Sequence, residues 1–271
     1  MFDKSFWVRF RSSCILMAVA ILSLVMGGNV LFCVLLGISL IGMMELYRII
    51  RSERTLIAGA GYLACILYYL ILYMEREEYL VPFFIGYLLI MMAIYVLTFP
   101  KYKSEQIMLG FFNLFYVAVM LSFIYRVRMM DGGEYLVWLA FIGSWGSDTC
   151  AYLVGRAIGK HKMAPILSPK KSVEGLFGGI IGAAAIGVIF AAVFKNHITE
   201  VSNPLLAFAI IGGCCAVIST IGDLAASAIK RNHDVKDYGK LIPGHGGILD
   251  RFDSLIFTAP IVFYLAQIWA R

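Results

Sequence analysis

This sequence predicts an all-α fold: a polytopic integral membrane protein of about nine transmembrane helices. Three observations carry that expectation. The chain of 271 residues is 61% hydrophobic and only 15% charged, where ordinary soluble domains carry about one-quarter charged residues. Apolar runs of about 17–25 residues, enough to cross about 30 Å of hydrocarbon, recur from end to end. The runs are continuously apolar rather than alternating. In lipid the backbone must satisfy its own hydrogen bonds, so such runs are expected as helices and not as strands of a barrel.

The expected spans lie near residues 12–27, 29–48, 55–74, 79–99, 107–126, 134–154, 173–194, 204–226 and 252–270. The first follows a basic start, as a signal peptide would. No small-residue cleavage site leads into a soluble domain, so it is expected to stay as the first helix. Gly27, Gly28 and Asn29 make a tight turn into the second. Pro82, Pro100, Pro165, Pro169, Pro204 and Pro243 sit in loops or near span ends, where a missing N–H costs little. Pro260 lies inside the last span and is expected to kink it. The seventh span carries Gly175, Gly178, Gly179, Gly182 and Gly187 among alanines, a pattern that lets helix backbones approach closely. The six cysteines all fall in apolar spans without CxxC spacing, and read as small buried hydrophobes rather than disulfides or metal ligands. Residues 1–133 have few polar side chains within their spans and read as scaffold, lipid contact or a dimer surface. Residues 134–271 hold two large polar loops and read as the catalytic part.

The net charge of +6 does not imply nucleic acid, because the basic residues sit in short loops between spans. With nine spans, 18 of the 23 Lys and Arg residues fall in loops on the N-terminal side; only Arg76, Arg126, Arg128, Lys195 and Arg271 fall on the other. The positive-inside rule then puts the N-terminus in the cytoplasm, the C-terminus outside, and both polar loops in the cytoplasm. The compact length without an N-terminal extension points to a bacterial inner (plasma) membrane.

The polar stretch 227–253 holds the densest chemistry. A carboxylate in or beside lipid is costly and by default marks function. Asp148 lies in the sixth span, Asp223 ends the eighth, and Asp250 and Asp253 stand where the chain re-enters the membrane. On a helix, Asp223, Ser227 and Lys230 or Arg231 share one face, as do Asp250 and Asp253. Clustered carboxylates without thiols suit a hard cation such as Mg²⁺, which shares its shell with substrate phosphates. Lys170, Lys171, Lys230, Arg231, Lys236 and Arg251 supply cations that suit phosphate. The backbone amides around Gly244, His245, Gly246 and Gly247 are expected to form an anion nest. Acids for metal beside bases for phosphate is the equipment of phosphoryl or nucleotidyl transfer. His245 reads equally as a phosphate-orienting group or a loop hydrogen-bond donor; His161, His197 and His233 read as solvated. Neither a P-loop nor GxGxxG is present.

The run from Ser227 through Lys230-Arg231, Lys236-Asp237, Gly239, Ile242-Pro243 and His245-Gly246-Gly247 to Asp250-Arg251-Phe252-Asp253 resembles the signature of the phosphatidate cytidylyltransferases, or CDP-diacylglycerol synthases. A second block, from Asp148-Thr149 through Gly155-Arg156 to Ser168-Pro169-Lys170-Lys171-Ser172 and Glu174-Gly175, is also similar to that family. The resemblance implies transfer of CMP from CTP to phosphatidic acid, giving CDP-diacylglycerol and pyrophosphate in phospholipid biosynthesis. It implies Mg²⁺, with a monovalent cation such as K⁺ able to share the site, and a homodimer in membrane lipid. It implies Asp223 and Asp250 as metal ligands, with Ser227, Lys230 and Arg231 at phosphate. Lys236, Asp237, His245 and Asp253 would hold nucleotide or order the loop; Ser168, Lys170, Lys171 and Glu174 would line the opposite wall, and Asp148 joins the substrate-binding residues.

Three rivals stand beside that reading. A transporter would also carry intramembrane acids, but its sites sit at the midplane and its chain repeats. A CDP-alcohol phosphotransferase would need DGxxAR, and Asp131-Gly132-Gly133 does not continue that way. A CTP-dependent polyprenol kinase is the third.

Overall fold

The computed structural model describes residues 4–244 and 246–270, and of residues 4–6 and 8–10 the backbone alone. His245, expected at the nucleotide loop, therefore lies outside the described residues, as does Arg271. The helices are α1 (Lys4–Met26), α2 (Gly28–Ile49), α3 (Leu56–Tyr73), α4 (Leu80–Thr98), α5 (Ser104–Asn113) and α6 (Met120–Met129), then α7 (Gly133–Leu136), α8 (Trp138–Phe141), α9 (Ser147–Ile158), α10 (Val173–Val193), α11 (Pro204–Asn232) and α12 (Leu249–Trp269). Two π-helical turns, Leu114–Val119 and Ile142–Gly146, join α5 to α6 and α8 to α9.

Among the described residues, seven helical stretches are long and apolar enough to cross a membrane: Gly28–Ile49, Leu56–Tyr73, Glu77–Thr98, Ser104–Met129, Val173–Val193, Pro204–Asn232 and Leu249–Trp269. The protein is thus a helical, polytopic membrane protein. The first and sixth expected spans are helical too, but fall short of that measure. The apolar part of α1 is the shorter stretch Arg11–Met26, and residues 133–158 are broken into α7, α8, a π turn and α9. The all-α expectation gains one addition. Residues Lys162–Ala164 (β1) and Ser168–Ser172 (β2) form an antiparallel hairpin, with Lys162 opposite Ser172 and Ala164 opposite Ser168. Pro165 and Pro169 keep this polar connection from continuing either neighbouring helix.

The chain packs as two compact units, Met1–Ser122 with Asp237–Arg251, and Phe123–Lys236 with Phe252–Arg271. The division expected at 133/134 concerns chemistry, and these packing units do not test it.

The first unit is tied by polar pairs inside an apolar core. Ser39 Oγ and Tyr69 Oη stand 2.8 Å apart, Tyr68 Oη and Ser122 Oγ 2.9 Å, and Asn113 Nδ2 donates to Met43 O at 3.0 Å. Each bond spares a buried polar atom a desolvation cost of about 1–3 kcal/mol. Thr55 caps α3 by accepting from Ala58 N–H at 3.3 Å. The outlier is α4, whose buried residues are Tyr87 and Met91 alone.

In the second unit, α10 packs closely on α9 and α11. A Cβ at Gly178 would meet Val154 at 2.5 Å, and one at Gly187 would meet the Phe208 carbonyl at 2.6 Å. The glycines of α10 are therefore a packing device, as their spacing predicts. Ser172 caps the same helix, its Oγ accepting from Gly175 N–H at 3.1 Å. All six cysteines are free. Their expected burial holds for Cys65 and Cys215; Cys14, Cys33 and Cys214 are exposed on the outer surface, where apolar side chains can face lipid.

Candidate active site

The second unit contains a cavity of about 470 Å³ that gathers much of the predicted chemistry. Its lining includes Asp148, Ser168, Lys170, Lys171 and Asp223, residues separated by up to 75 positions in the chain. Three segments deliver them. Asp148 stands in the first turn of α9, immediately after the π turn. Ser168, Lys170 and Lys171 come from β2, and Asp223 from the interior of α11. Lys171 Nζ donates to Asp223 Oδ2 at 2.7 Å, with both side chains partly exposed. Lys171 also attracts the Asp148 carboxylate, and Asp223 repels it. The lining adds Arg156, Lys162 and Ser172, which the site predicted from the sequence leaves out.

Other predicted residues lie off this cavity. Ser227, Lys230 and Arg231 continue along α11, with the two cations in its last turn, where they complement the helix dipole. Glu174 turns instead to His161, whose Nδ1 lies 2.6 Å from Glu174 Oε1 and whose backbone N–H donates to both carboxylate oxygens. His161 is thus exposed, as predicted, but paired. Lys236 is exposed. Asp253 is buried, and its Oδ1 accepts from Ser254 N–H at 2.7 Å.

In the first unit, Asp237 is exposed and Asp250 buried. Asp250 Oδ2 accepts from Tyr238 N–H at 2.8 Å and from Gly247 N–H at 2.9 Å. Glu45 of α2 accepts from Ile248 N–H at 3.0 Å and from Leu249 N–H at 2.9 Å. Of the four residues expected to form an anion nest, Gly247 gives its amide to Asp250. The successive amides at 247, 248 and 249 go to the protein's own carboxylates, Asp250 and Glu45. Glu45 is a further residue that the predicted site leaves out. A lone acid within the apolar span 29–48 was the available signal.

Among the described residues, no three His, Cys, Asp or Glu side chains cluster as a ready metal cage. Mg²⁺ does not need one, since it keeps waters and substrate phosphates beside one or two carboxylates. Asp148 and Asp223, both oxygen donors on one cavity, fit such an ion.

A cavity lined by acids and cations, in a helical membrane protein, belongs to the class of sites suited to phosphate chemistry. The comparisons narrow that class. The cytidylyltransferase family matches residues 7–269, and the chain belongs to that family. A phosphatidate cytidylyltransferase of Bacillus subtilis is 30% identical over 267 residues, covering 94% of this chain and 96% of its own. One from Synechocystis is 31% identical over 285 residues, covering 94% of each. One from Haemophilus influenzae is 44% identical over 132 residues, covering 49% of this chain and 46% of its own.

Proposed function

We propose that this chain catalyses the reaction named in its relatives, transferring a cytidylyl group to phosphatidate and so serving phospholipid biosynthesis. The observation that carries the proposal is the cavity of the second unit, where Asp148, Asp223 and Lys171 stand with Lys170 and Arg156 on one wall system. The substrates are CTP and phosphatidic acid. A phosphate oxygen of phosphatidic acid attacks the α-phosphorus of CTP. The new P–O bond forms as the α–β bond breaks, and pyrophosphate leaves with the electron pair.

The nucleophile is already an anion, so no protein base is required. Lys170, Lys171 and Arg156 neutralise phosphate charge and hold the reacting groups in line. Lys171 exchanges its Asp223 partner for substrate phosphate as the site fills. Asp223 is the proposed ligand for Mg²⁺ in its unit, and Asp250 the proposed ligand in the other. Mg²⁺ supplies charge neutralisation of the phosphates and leaving group; K⁺ is the candidate second cation. Ser227, Lys230 and Arg231 are assigned to phosphate, and Lys236, Asp237 and Asp253 to nucleotide or loop order.

We also propose nine crossings, counting α1 and residues 133–158, with the N-terminus and the site in the cytoplasm, the C-terminus outside, and a homodimer in a bacterial inner membrane. The charge asymmetry supports that orientation.

The decisive assay gives purified protein labelled CTP, Mg²⁺ and phosphatidic acid, and counts the lipid phase. Label in lipid with release of pyrophosphate is expected, and both should vanish on chelation of the metal. An unlabelled lipid phase without pyrophosphate overturns the proposal. A cysteine placed at Lys236 should react with impermeant reagent from the cytoplasmic side alone; cross-linking in membranes checks the dimer.

A further inference from the structure

Glu45 sits near the C-terminal end of α2 and is only 1% exposed. A carboxylate in a membrane-spanning helix is costly unless its oxygens are satisfied. Both oxygens of Glu45 are used within the first unit. Oε1 takes the N–H of Ile248 and Oε2 the N–H of Leu249. Those amides open α12, where unpaired donors and the helix dipole favour an anion. Most such caps come from the residue that adjoins the helix. This one comes from more than 200 positions upstream.

Two further observations show that the loop is shaped around this side chain. A Cβ at Gly239 or at Gly247 would run into the Glu45 carboxylate, so glycine at both positions lets the backbone lie against it. The amide just before the pair held by Glu45, that of Gly247, goes to Asp250, together with the amide of Tyr238. Glu45 and Asp250 thus divide successive amides of one turn. Where Glu45 sets the 248 and 249 amides, the turn that orients Asp250 is set with them.

We propose that Glu45 is a positioning residue for cytidylyl transfer: it fixes the turn 247–249 at the start of α12 so that Asp250 is presented in one orientation. The proposal rests on the functional reading above. It gives the front half of the chain a part in the chemistry that its apolar composition does not suggest.

The test uses the full-length protein in phospholipid nanodiscs with CTP, Mg²⁺ and phosphatidic acid. Glu45→Gln keeps the size but turns an NH₂ group toward one of the two amides. Glu45→Asp keeps the charge but is one methylene too short to serve both. Expected for Glu45→Gln is a folded protein whose kcat falls about tenfold or more, with KM for both substrates within about threefold of wild type. Deuterium exchange should quicken in peptides covering 246–250, and Glu45→Asp should recover part of the lost kcat. A Glu45→Gln kcat within about twofold of wild type overturns the inference. So does a loss that merely tracks the fraction of folded protein. If Glu45→Gln does not fold, Glu45→Asp is judged on the same terms. If neither folds, Glu45 is a folding residue and the inference fails. Wild-type protein that makes no lipid product sinks the functional reading itself. Active wild type with an unaffected variant sinks this inference alone.

Discussion

Two pairs of acids, one in each unit, live in opposite conditions. In the first, Glu45 and Asp250 are buried and each accepts from two backbone amides, which cannot leave. In the second, Asp148 and Asp223 line a cavity, and the partner of Asp223 is the flexible side chain of Lys171. Backbone amides fix a carboxylate in place. A lysine neutralises one while staying able to exchange it for a phosphate. The contrast separates acids held for position from acids held for exchange.

The sharpest break in that contrast is Asp250→Asn. The Asn carbonyl oxygen can still accept from Tyr238 and Gly247, so the turn stands while the charge is lost. Turnover should fall by about 10²–10³-fold or more, with insertion into membranes unchanged. Asp223→Asn should cost as much. Near-normal rates in either would remove its proposed role at the metal. Lys171→Met comes next, at about 10–100-fold in kcat/KM, with Lys171→Arg retaining more. An equal loss in both would mean that packing, not charge, matters there. Gly247→Ala should lower turnover about tenfold and destabilise the protein by about 1–3 kcal/mol, because its Cβ meets the Glu45 carboxylate. Gly213→Ala, whose Cβ would find nothing nearer than 3.8 Å, is the matched control and should behave as wild type in thermal unfolding. Glu174→Gln should have the smallest effect, under about threefold in turnover, since its His161 partner is largely exposed.

Much of this was legible in the sequence. Apolar runs announce helices because lipid leaves the backbone few alternatives, and seven of the expected spans appear as long apolar helices among the described residues. The acids and lysines of the cavity wall, Asp148, Asp223, Lys170 and Lys171, were legible as charges at the membrane edge, and the resemblance added Ser168. What escaped depends on backbone geometry. A continuous apolar pattern has no mark for an extra residue in a turn, so the π turn before Asp148 was invisible. The hairpin 162–172 is too short and polar to show a strand period. Which anion the amides at 247–249 would meet was a three-dimensional question, and its answer, Glu45, lay in a span read as scaffold.

One consequence of the bare helix α4 is evolutionary. Tyr87 and Met91 are its buried residues, and Phe83 and Phe84 pack on Tyr68 and Phe115, but the face that carries 81, 85, 89 and 96 must be greasy and need not have any particular shape. Exchanges among leucine, isoleucine, valine and methionine at 81, 85, 89 and 96 leave no hole behind, so mutation can wander there almost without penalty. Across descendants of this gene, that face of α4 should therefore be rewritten fastest, around the few side chains that pack inward.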